Sequence, residues 1–282
     1  NGVVSGANQF TVTNQLGYVL TRSIFIFGEL GYENINYPQA VPPVKIDDAV
    51  WAFGTTLTPD PDSTITVGYG HRYGFNSAFL NAAYQLTART QIYATYSTSL
   101  GTDLQVLQSL VSLSGANQYG NVVNSETGAP LFLSNPGIAI QGNGTLNQTK
   151  TLSAGATTSL DRDTIGLAVS ASNYNAIAGT TGFVNTGSQR AVSGSISWQH
   201  QISEAAQTSV YFGYGVQNAP FFANGFNRNS NESFLGGAAA YSYAFSQTLS
   251  GVAQYGHYEL SSKIPGQSYV QNIVLVGLTK TF

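Results

Sequence analysis

Segments in which apolar residues alternate with small or polar ones recur along this 282-residue chain, and they constrain its fold more than any other feature. In the last segment, 268–282, one set of alternate residues is mainly apolar and includes Val274, Val276, Leu278 and Phe282. The other set, or register, ends in Gly277, Thr279 and Thr281. Successive strand side chains point to opposite faces, so each segment predicts a strand with one apolar and one wet face. Such strands build transmembrane β-barrels, but an amphipathic strand of a soluble sandwich alternates in the same way.

Composition favours the barrel over the soluble sandwich. Only 8% of the residues are charged, against about 25% in a typical soluble domain. No run of about 18 apolar residues occurs, which excludes a membrane-spanning helix. The absence of Cys excludes disulfides and thiolate metal sites. The net charge of −3 argues against a nucleic-acid partner.

Thirteen strands are predicted, joined alternately by short turns and longer connections. This rhythm is typical of an up-and-down barrel with tight periplasmic turns and longer outer loops. A short hairpin is expected near Phe75-Asn76, and the long connections are 36–45, 102–146, 176–187, 219–231 and 261–267. The predicted strands are 8–20, 23–35, 46–58, 63–75, 77–87, 90–101, 147–160, 163–175, 188–201, 206–218, 232–246, 248–260 and 268–282.

The strand count leads to an expectation about the N-terminal region. Single-chain barrels of this kind have an even number of strands. Thirteen strands that end on the periplasmic side therefore imply at least one further strand before position 8. We expect an all-β, membrane-spanning, up-and-down antiparallel barrel of about 14 strands, within the range of roughly 12–16. It would form a single domain over 1–282 that lacks part of its N-terminal region.

Side chains on the less apolar register are predicted to line the lumen. Gly, Ser, Ala and Thr dominate this register and leave space for water or a plug, where a packed small barrel would need bulky branched residues. Charges facing the lumen can tune what passes through a pore. A structural interior ion pair or network is the alternative interpretation. The pore-lining candidates are Glu29, Glu33, Asp48, Arg72, Tyr211 and Gln217.

The connection 102–146 is unusually long for a segment without strands, and such loops are often functional. Within it, 103–114 places Leu104, Leu107 and Leu110 at helical spacing. Asp103 suits the N-cap of that short helix. The loop is predicted to fold into the lumen as a constriction, or alternatively to form an outer cap or a subunit contact.

No residue pattern indicates catalysis or a metal centre. The HExxH, GxSxG and phosphate-loop motifs are absent from the sequence. His71 and His200 fall on the outward register, where an interfacial or solvated role is favoured over a catalytic one. Aromatic residues near strand ends, such as Trp51 and Trp198, fit interfacial girdles, although Tyr is also a good strand former. We expect no enzymatic activity, no cofactor and no metal.

Residues 16–102 carry motifs that resemble a known family. They include Gly31-Tyr-Glu33, Trp51 with Gly54, the stretch 59–66, the GYGHRYG motif at 68–74, and 93–97. These pieces are similar to the outer-membrane barrels associated with PEP-CTERM and exosortase loci. The resemblance implies a barrel in the outer membrane. It also implies export or binding of exopolysaccharide, because family members often accompany exopolysaccharide biosynthesis genes.

The closing strand resembles the assembly signal of bacterial outer-membrane barrels. Its carriers would be Val274, Val276, Leu278 and Phe282, whereas Lys280 stands where an aromatic residue is usual. A Lys near a strand end can extend its charged head to the interface, so this departure is compatible with the signal.

The sequence as a whole predicts a porin-like passive channel for polar solutes or an exported glycan, located in the outer membrane of a Gram-negative bacterium. The alternative is a structural or scaffold barrel that is closed by its long loop and binds partner proteins or surface polymer. The expected partners are outer-membrane lipid and lipopolysaccharide, the barrel assembly machinery, and exopolysaccharide or other envelope proteins. A homo-oligomer is a further option, and nucleic acid is not expected.

Overall fold

The computed structural model describes residues 2–102, 105, 114–116, 122–124, 145–180, 188–223, 226–263, 266 and 268–280. Their secondary structure is dominated by extended strands, as the alternation of apolar and polar residues predicts. The strands are β1 (Asn8–Thr21), β2 (Ile24–Tyr37), β3 (Val44–Leu57), β4 (Thr64–Arg72), β5 (Phe75–Thr87), β6 (Thr90–Thr102), β7 (Ser114–Ala116), β8 (Val122–Asn124), β9 (Leu146–Ser159), β10 (Asp163–Ala178), β11 (Ser188–Gln201), β12 (Ala206–Ala223), β13 (Phe226–Ala244), β14 (Leu249–Ser262) and β15 (Tyr269–Lys280).

Thirteen strands form one sheet whose order follows the chain, from β1 to β6 and then from β9 to β15. Consecutive strands run antiparallel, so the predicted all-β, up-and-down antiparallel class is confirmed, and the strand number lies within the predicted range. The small strands β7 and β8 form a separate antiparallel pair. No helix in the described ranges has the length and apolar character that crossing a membrane requires.

The hairpin between β4 and β5 turns earlier than predicted. Arg72 pairs with Phe75, so the turn consists of Tyr73 and Gly74. Both residues have positive φ, 59° and 75°. This is the signature of a two-residue type I′ turn, whose twist matches that of the flanking strands. The prediction of a turn near Phe75-Asn76 was wrong because Gly74 supplies the left-handed conformation and Phe75 already belongs to β5.

The predicted long connection 219–231 is largely β-structure. The pairing of β12 with β13 continues from Asn218 and Asn231 to Ala223 and Phe226. Backbone N–H and C=O groups of this stretch that point towards the partner strand are therefore hydrogen-bonded across the hairpin. The stretch 219–231 is rich in Asn, Gly and Pro, which are typical of loops. The loop prediction was wrong because cross-strand pairing outweighs single-residue propensity.

The chain divides into two compact units. Unit 1 comprises Asn1–Val106, Ile140–Ala154 and Ser172–Gln189, and unit 2 comprises Leu107–Ala139, Gly155–Ala171 and Arg190–Phe282. Unit 1 contains a buried apolar cluster that includes residues on both sides of the 102–146 connection: Val3, Ile35, Tyr37, Ala40, Leu100, Leu146 and Ala178. In unit 2 the buried strand residues are mostly small, and they include Ala191, Ser193, Ser209, Ala238, Ala240 and Ser242.

Two sequence predictions fall outside the described residues. The predicted helix over 103–114 does so except for Gln105 and Ser114, as does most of the 102–146 connection. The terminal Phe282 of the predicted assembly signal also lies outside them. Both remain predictions.

Candidate functional site

The two faces of β12 show burial opposite to that of a water-soluble protein. One register is buried and consists of small residues and Tyr211, which is 8% exposed. The other register is large, apolar and exposed. We call the first register and its cross-strand neighbours the polar face of unit 2, and the second its apolar face. In unit 1, the register that carries Leu30, Trp51 and His71 is called the apolar face, and the one that carries Glu33 the polar face. The exposed residues are Val210, Phe212, Tyr214 and Val216, and the buried ones are Ser209, Tyr211, Gly213 and Gly215.

The apolar face continues on β15, which carries three of the predicted assembly-signal residues. Val274, Val276 and Leu278 are 76%, 77% and 72% exposed. In unit 1, Phe10, Val12, Leu16, Ile26 and Leu30 are exposed in the same way. Soluble proteins rarely expose contiguous apolar surface beyond a few hundred Å². Surface of this kind, repeated from strand to strand, therefore requires an apolar environment.

Aromatic residues on the apolar face form clusters with polar partners. In unit 1, the ring of His71 stacks on Trp51, with centroids 6.4 Å apart. In unit 2, His200 stacks on Trp198 at 5.6 Å. The Trp198 indole N–H donates to Asp163 Oδ1 over 2.8 Å, and His200 Nδ1 lies 2.9 Å from the same oxygen. Rings that combine an apolar body with a bonded polar tip suit a membrane–water interface.

A row of three polar residues crosses β1, β2 and β3 on the opposite face of unit 1. Glu33 pairs directly with Thr11 on one side and with Asp48 on the other. Glu33 is 0% exposed. Neither of its carboxylate oxygens has a hydrogen-bond partner among the described residues, and the same holds for the buried hydroxyl of Thr11. The backbone register therefore places the predicted site residues Glu33 and Asp48 opposite one another.

The remaining predicted charges of unit 1 have other surroundings. The Asp48 carboxylate accepts a hydrogen bond from the Ala49 amide at 2.8 Å and lies 2.9 Å from His71 Nε2. Glu29 is half-buried and faces Gln15 and Ala52. Arg72 is exposed at the end of β4, with its guanidinium 5.2 Å from the ring centroid of Tyr73. The Asp48 carboxylate thus interacts with the His71 ring, and the Arg72 guanidinium with the Tyr73 ring.

Aromatic rings also occupy part of the polar face of unit 1. Phe25, Phe27 and Phe79 lie over glycines of neighbouring strands, which are Gly17, Gly54 and Gly68. A Cβ added to Gly54 would lie 2.6 Å from the Phe27 ring, so glycine is required there for the ring to lie against the sheet. The centroids of Phe27 and Phe79 are 6.3 Å apart. The predicted small and polar lining is therefore interrupted by an apolar strip.

A second row of polar residues crosses β12, β13 and β14 in unit 2. Glu232 pairs with Gln217 on one side and Ser262 on the other, and it is 4% exposed. The Gln217 side-chain amide donates to Glu232 Oε2 at 2.7 Å, and the Ser262 hydroxyl donates to Oε1 at 2.8 Å. Each carboxylate oxygen therefore has a donor from an adjacent strand.

Sequence reasoning named Gln217 and missed Glu232. The omission arose because Glu232 was placed at the boundary of the predicted 219–231 loop. Its face is nevertheless readable from the sequence, since Glu232 has the same parity as the small residues Ala238, Ala240 and Ser242 of its strand. In the part of the chain that the structure describes, no group of three or more His, Cys, Asp or Glu could hold a metal ion.

Comparisons with known proteins find no matching protein-family model and no matching curated protein. Among solved structures, a loop L8 deletion mutant of OmpT, an outer membrane protein of Vibrio cholerae, is 9% identical with a TM-score of 0.48 over 97% of both chains. OccAB3 of Acinetobacter baumannii is 8% identical with a TM-score of 0.40, over 94% of this chain and 67% of the other. The siderophore receptor PirA of Pseudomonas aeruginosa is 12% identical with a TM-score of 0.41, over 98% and 56%.

Proposed function

We propose that this chain is a membrane-spanning β-barrel of the bacterial outer membrane that acts as a porin-like passive channel for polar solutes. The observation that carries the proposal is the reversed burial of the strands, with large apolar side chains exposed and Ser, Gly, Gln and Glu buried. Strands with one lipid-facing and one wet face are the building units of outer-membrane barrels. Small residues on the wet face leave room for water and solute.

Single-channel recording in planar lipid bilayers tests this function. The purified chain, folded in detergent, is expected to produce stepwise currents in a salt gradient. Ser193→Trp places a bulky ring on the buried polar face and is expected to lower the conductance. Val192→Trp, on the exposed face of the same strand, is the matched control and should leave conductance unchanged. A folded wild-type protein without current would contradict the proposal.

A scaffold barrel closed by its long loop is the second candidate function, and the buried cluster of unit 1 favours it. Leu100 and Leu146, which flank the 102–146 connection, are both buried in that cluster. The two ends of the loop are therefore anchored in packed apolar surroundings. A barrel of this kind would bind partner proteins or surface polymer through its outer loops.

Deletion of residues 105–140 distinguishes an open channel from a scaffold barrel that is closed by its long loop. A loop that plugs the barrel predicts that conductance appears only in the deletion variant. A channel that is open in the wild type predicts little change on deletion.

The proposed solutes include an exported glycan, on the basis of the resemblance of residues 16–102 to barrels of exopolysaccharide loci. A soluble polysaccharide added on one side of the bilayer is then expected to interrupt the current in discrete events. The same sugar as a monosaccharide should leave the open current nearly constant. Identical responses to both would argue against a polymer cargo.

A further inference from the structure

We propose that the polar face of unit 1 carries a binding site for a neutral chain of pyranose sugars, in which Phe27 and Phe79 contact the C–H faces of the sugar rings. The site is a row of directly paired residues across β1 to β5, called here the Gly–Phe row: Gly17, Phe27, Gly54, Gly68 and Phe79. The inference rests on the proposed function in one respect, which is that this face is wet.

The first observation is the layer of aromatic rings on this row. The rings of Phe27 and Phe79 approach each other from β2 and β5 and lie over the two glycines between them. Their centroids are 6.3 Å apart, and the centroid of Phe25 lies 6.2 Å from that of Phe27. The planes of neighbouring rings are inclined by only 23° and 34°. A ring that lies against the sheet turns one face away from it, so the three rings together form an apolar platform.

The two central glycines allow this arrangement. A Cβ on Gly54 or Gly68 would collide with the ring above it and with the backbone of a neighbouring strand. Glycine weakens the interior of a strand and often marks a place where a ligand or another backbone approaches closely. Gly54 and Gly68 pair directly across β3 and β4, so both rings lie close to the sheet at the same height along the strands.

The second observation is that the platform is accessible and lies outside the apolar core. Phe25, Phe27 and Phe79 are half-buried. The buried cluster of unit 1 and the apolar residues packed against it comprise other residues of the described part of the chain. Core packing therefore does not account for these rings. Apolar surface on a wet face is unfavourable until a ligand with an apolar face covers it.

The third observation is that polar side chains flank the platform on both sides. The neighbouring rows of the sheet supply carboxamide, carboxylate and hydroxyl groups. On one side these are Gln15, Glu29 and Ser77, and on the other Thr56, Thr66 and Asn81. Gln15 and Asn81 are exposed. Hydrogen-bond donors and acceptors therefore lie on both sides of an apolar surface.

The combination of platform and flanks determines the class of ligand. A gluco-configured pyranose has C–H groups on its faces and hydroxyl groups around its edge. Its face fits the rings while its hydroxyl groups reach the flanking rows, as in pockets where apolar walls carry a few placed polar groups. A hydrocarbon would leave the flanking polar groups without partners. Glu29 disfavours an anionic sugar, since like charges repel.

Calorimetric titration of cellopentaose, a neutral chain of five glucose units, into the full chain folded in detergent tests the site. Phe27→Leu and Phe79→Leu keep an apolar side chain but remove the ring, so each should weaken binding by about fivefold. Phe53→Leu, the matched control, removes an exposed ring from the apolar face of β3 and should leave the affinity unchanged. Glucose should bind more weakly than cellopentaose, because a platform of three rings exceeds one sugar.

The calorimetric readout is independent of conductance, so the site and the channel function fail separately. Sugar binding without current would contradict the channel and support the site, whereas current without sugar binding would do the reverse. A purely structural role of the rings over strand glycines predicts lower stability in Phe27→Leu and an unchanged sugar affinity of the folded variant.

Four outcomes would overturn the proposal. They are no binding by the wild type, unchanged affinity in both variants of the row, an equal loss in Phe53→Leu, and equal affinities for glucose and cellopentaose. Folding of each variant is verified by far-ultraviolet circular dichroism before titration. If neither variant of the row folds, Asn81→Ala decides, because its exposed side chain is expected to bond the sugar edge. An unchanged affinity in Asn81→Ala then counts against the site.

Discussion

Glu33 in unit 1 and Glu232 in unit 2 are two buried acids with the same local topology and different neighbours. Each lies in the central strand of three, and each is at most 4% exposed. Glu232 has Gln217 and Ser262 directly across the two strand pairs, and both donate to it. Glu33 has Thr11 and Asp48 in the corresponding positions. The hydroxyl of Thr11 does not reach Glu33, and Asp48 interacts with His71 instead.

The comparison shows that the residues directly across the two strand pairs decide whether the protein supplies hydrogen-bond donors to a buried carboxylate. Side chains directly opposite one another in an antiparallel pair are the unit of stabilisation in a sheet. An amide and a hydroxyl in those positions complete the shell of Glu232. A second acid in one of those positions supplies no donor to Glu33.

The largest expected effect on stability concerns Glu232, whose two carboxylate oxygens each accept a hydrogen bond. Gln217→Leu removes the amide donor and leaves one oxygen of a buried carboxylate unpaired. Hydrogen bonds to charged groups contribute roughly 1.5–3 kcal/mol, so the free energy of unfolding should fall by about 2 kcal/mol. Urea titration of the folded chain in lipid vesicles measures this quantity. A loss below about 0.5 kcal/mol would mean that the bond to Glu232 contributes little.

The second prediction concerns Glu33 and has the opposite sign. Glu33→Gln replaces a buried acid that has no hydrogen-bond partner among the described residues with a neutral side chain of similar shape, and it should raise the free energy of unfolding by about 1 kcal/mol. Glu232→Gln, the matched control, should lower it, because two charge-assisted hydrogen bonds are weakened. Urea titrations measure the free energy of unfolding of both variants. Destabilisation of both to the same extent would remove the distinction between the two acids.

The alternation of the sequence predicted most of the fold. Thirteen strands, their antiparallel order and the faces of residues such as Val210 and Tyr211 follow from a period of two. The site was only partly predictable. Parity places Glu33 and Asp48 on one register, but it does not say which residues stand opposite them. That information lies in the cross-strand register of β2 with β1 and β3. The register of β1 on β2 includes an irregularity between Val19 and Thr21, which a period of two does not reveal.

The smallest expected effect compares the two hydroxyl neighbours. Ser262→Ala deletes a donor to Glu232 Oε1 and should lower the free energy of unfolding by about 1.5 kcal/mol, the lower end of the range for a hydrogen bond to a charged group. Thr11→Val replaces a buried hydroxyl that has no partner among the described residues with a methyl group of similar shape. It should change stability by less than about 0.5 kcal/mol, because no hydrogen bond is lost. Equal losses in the two variants would show that Thr11 bonds Glu33 in solution, and the contrast between the two acids would then disappear.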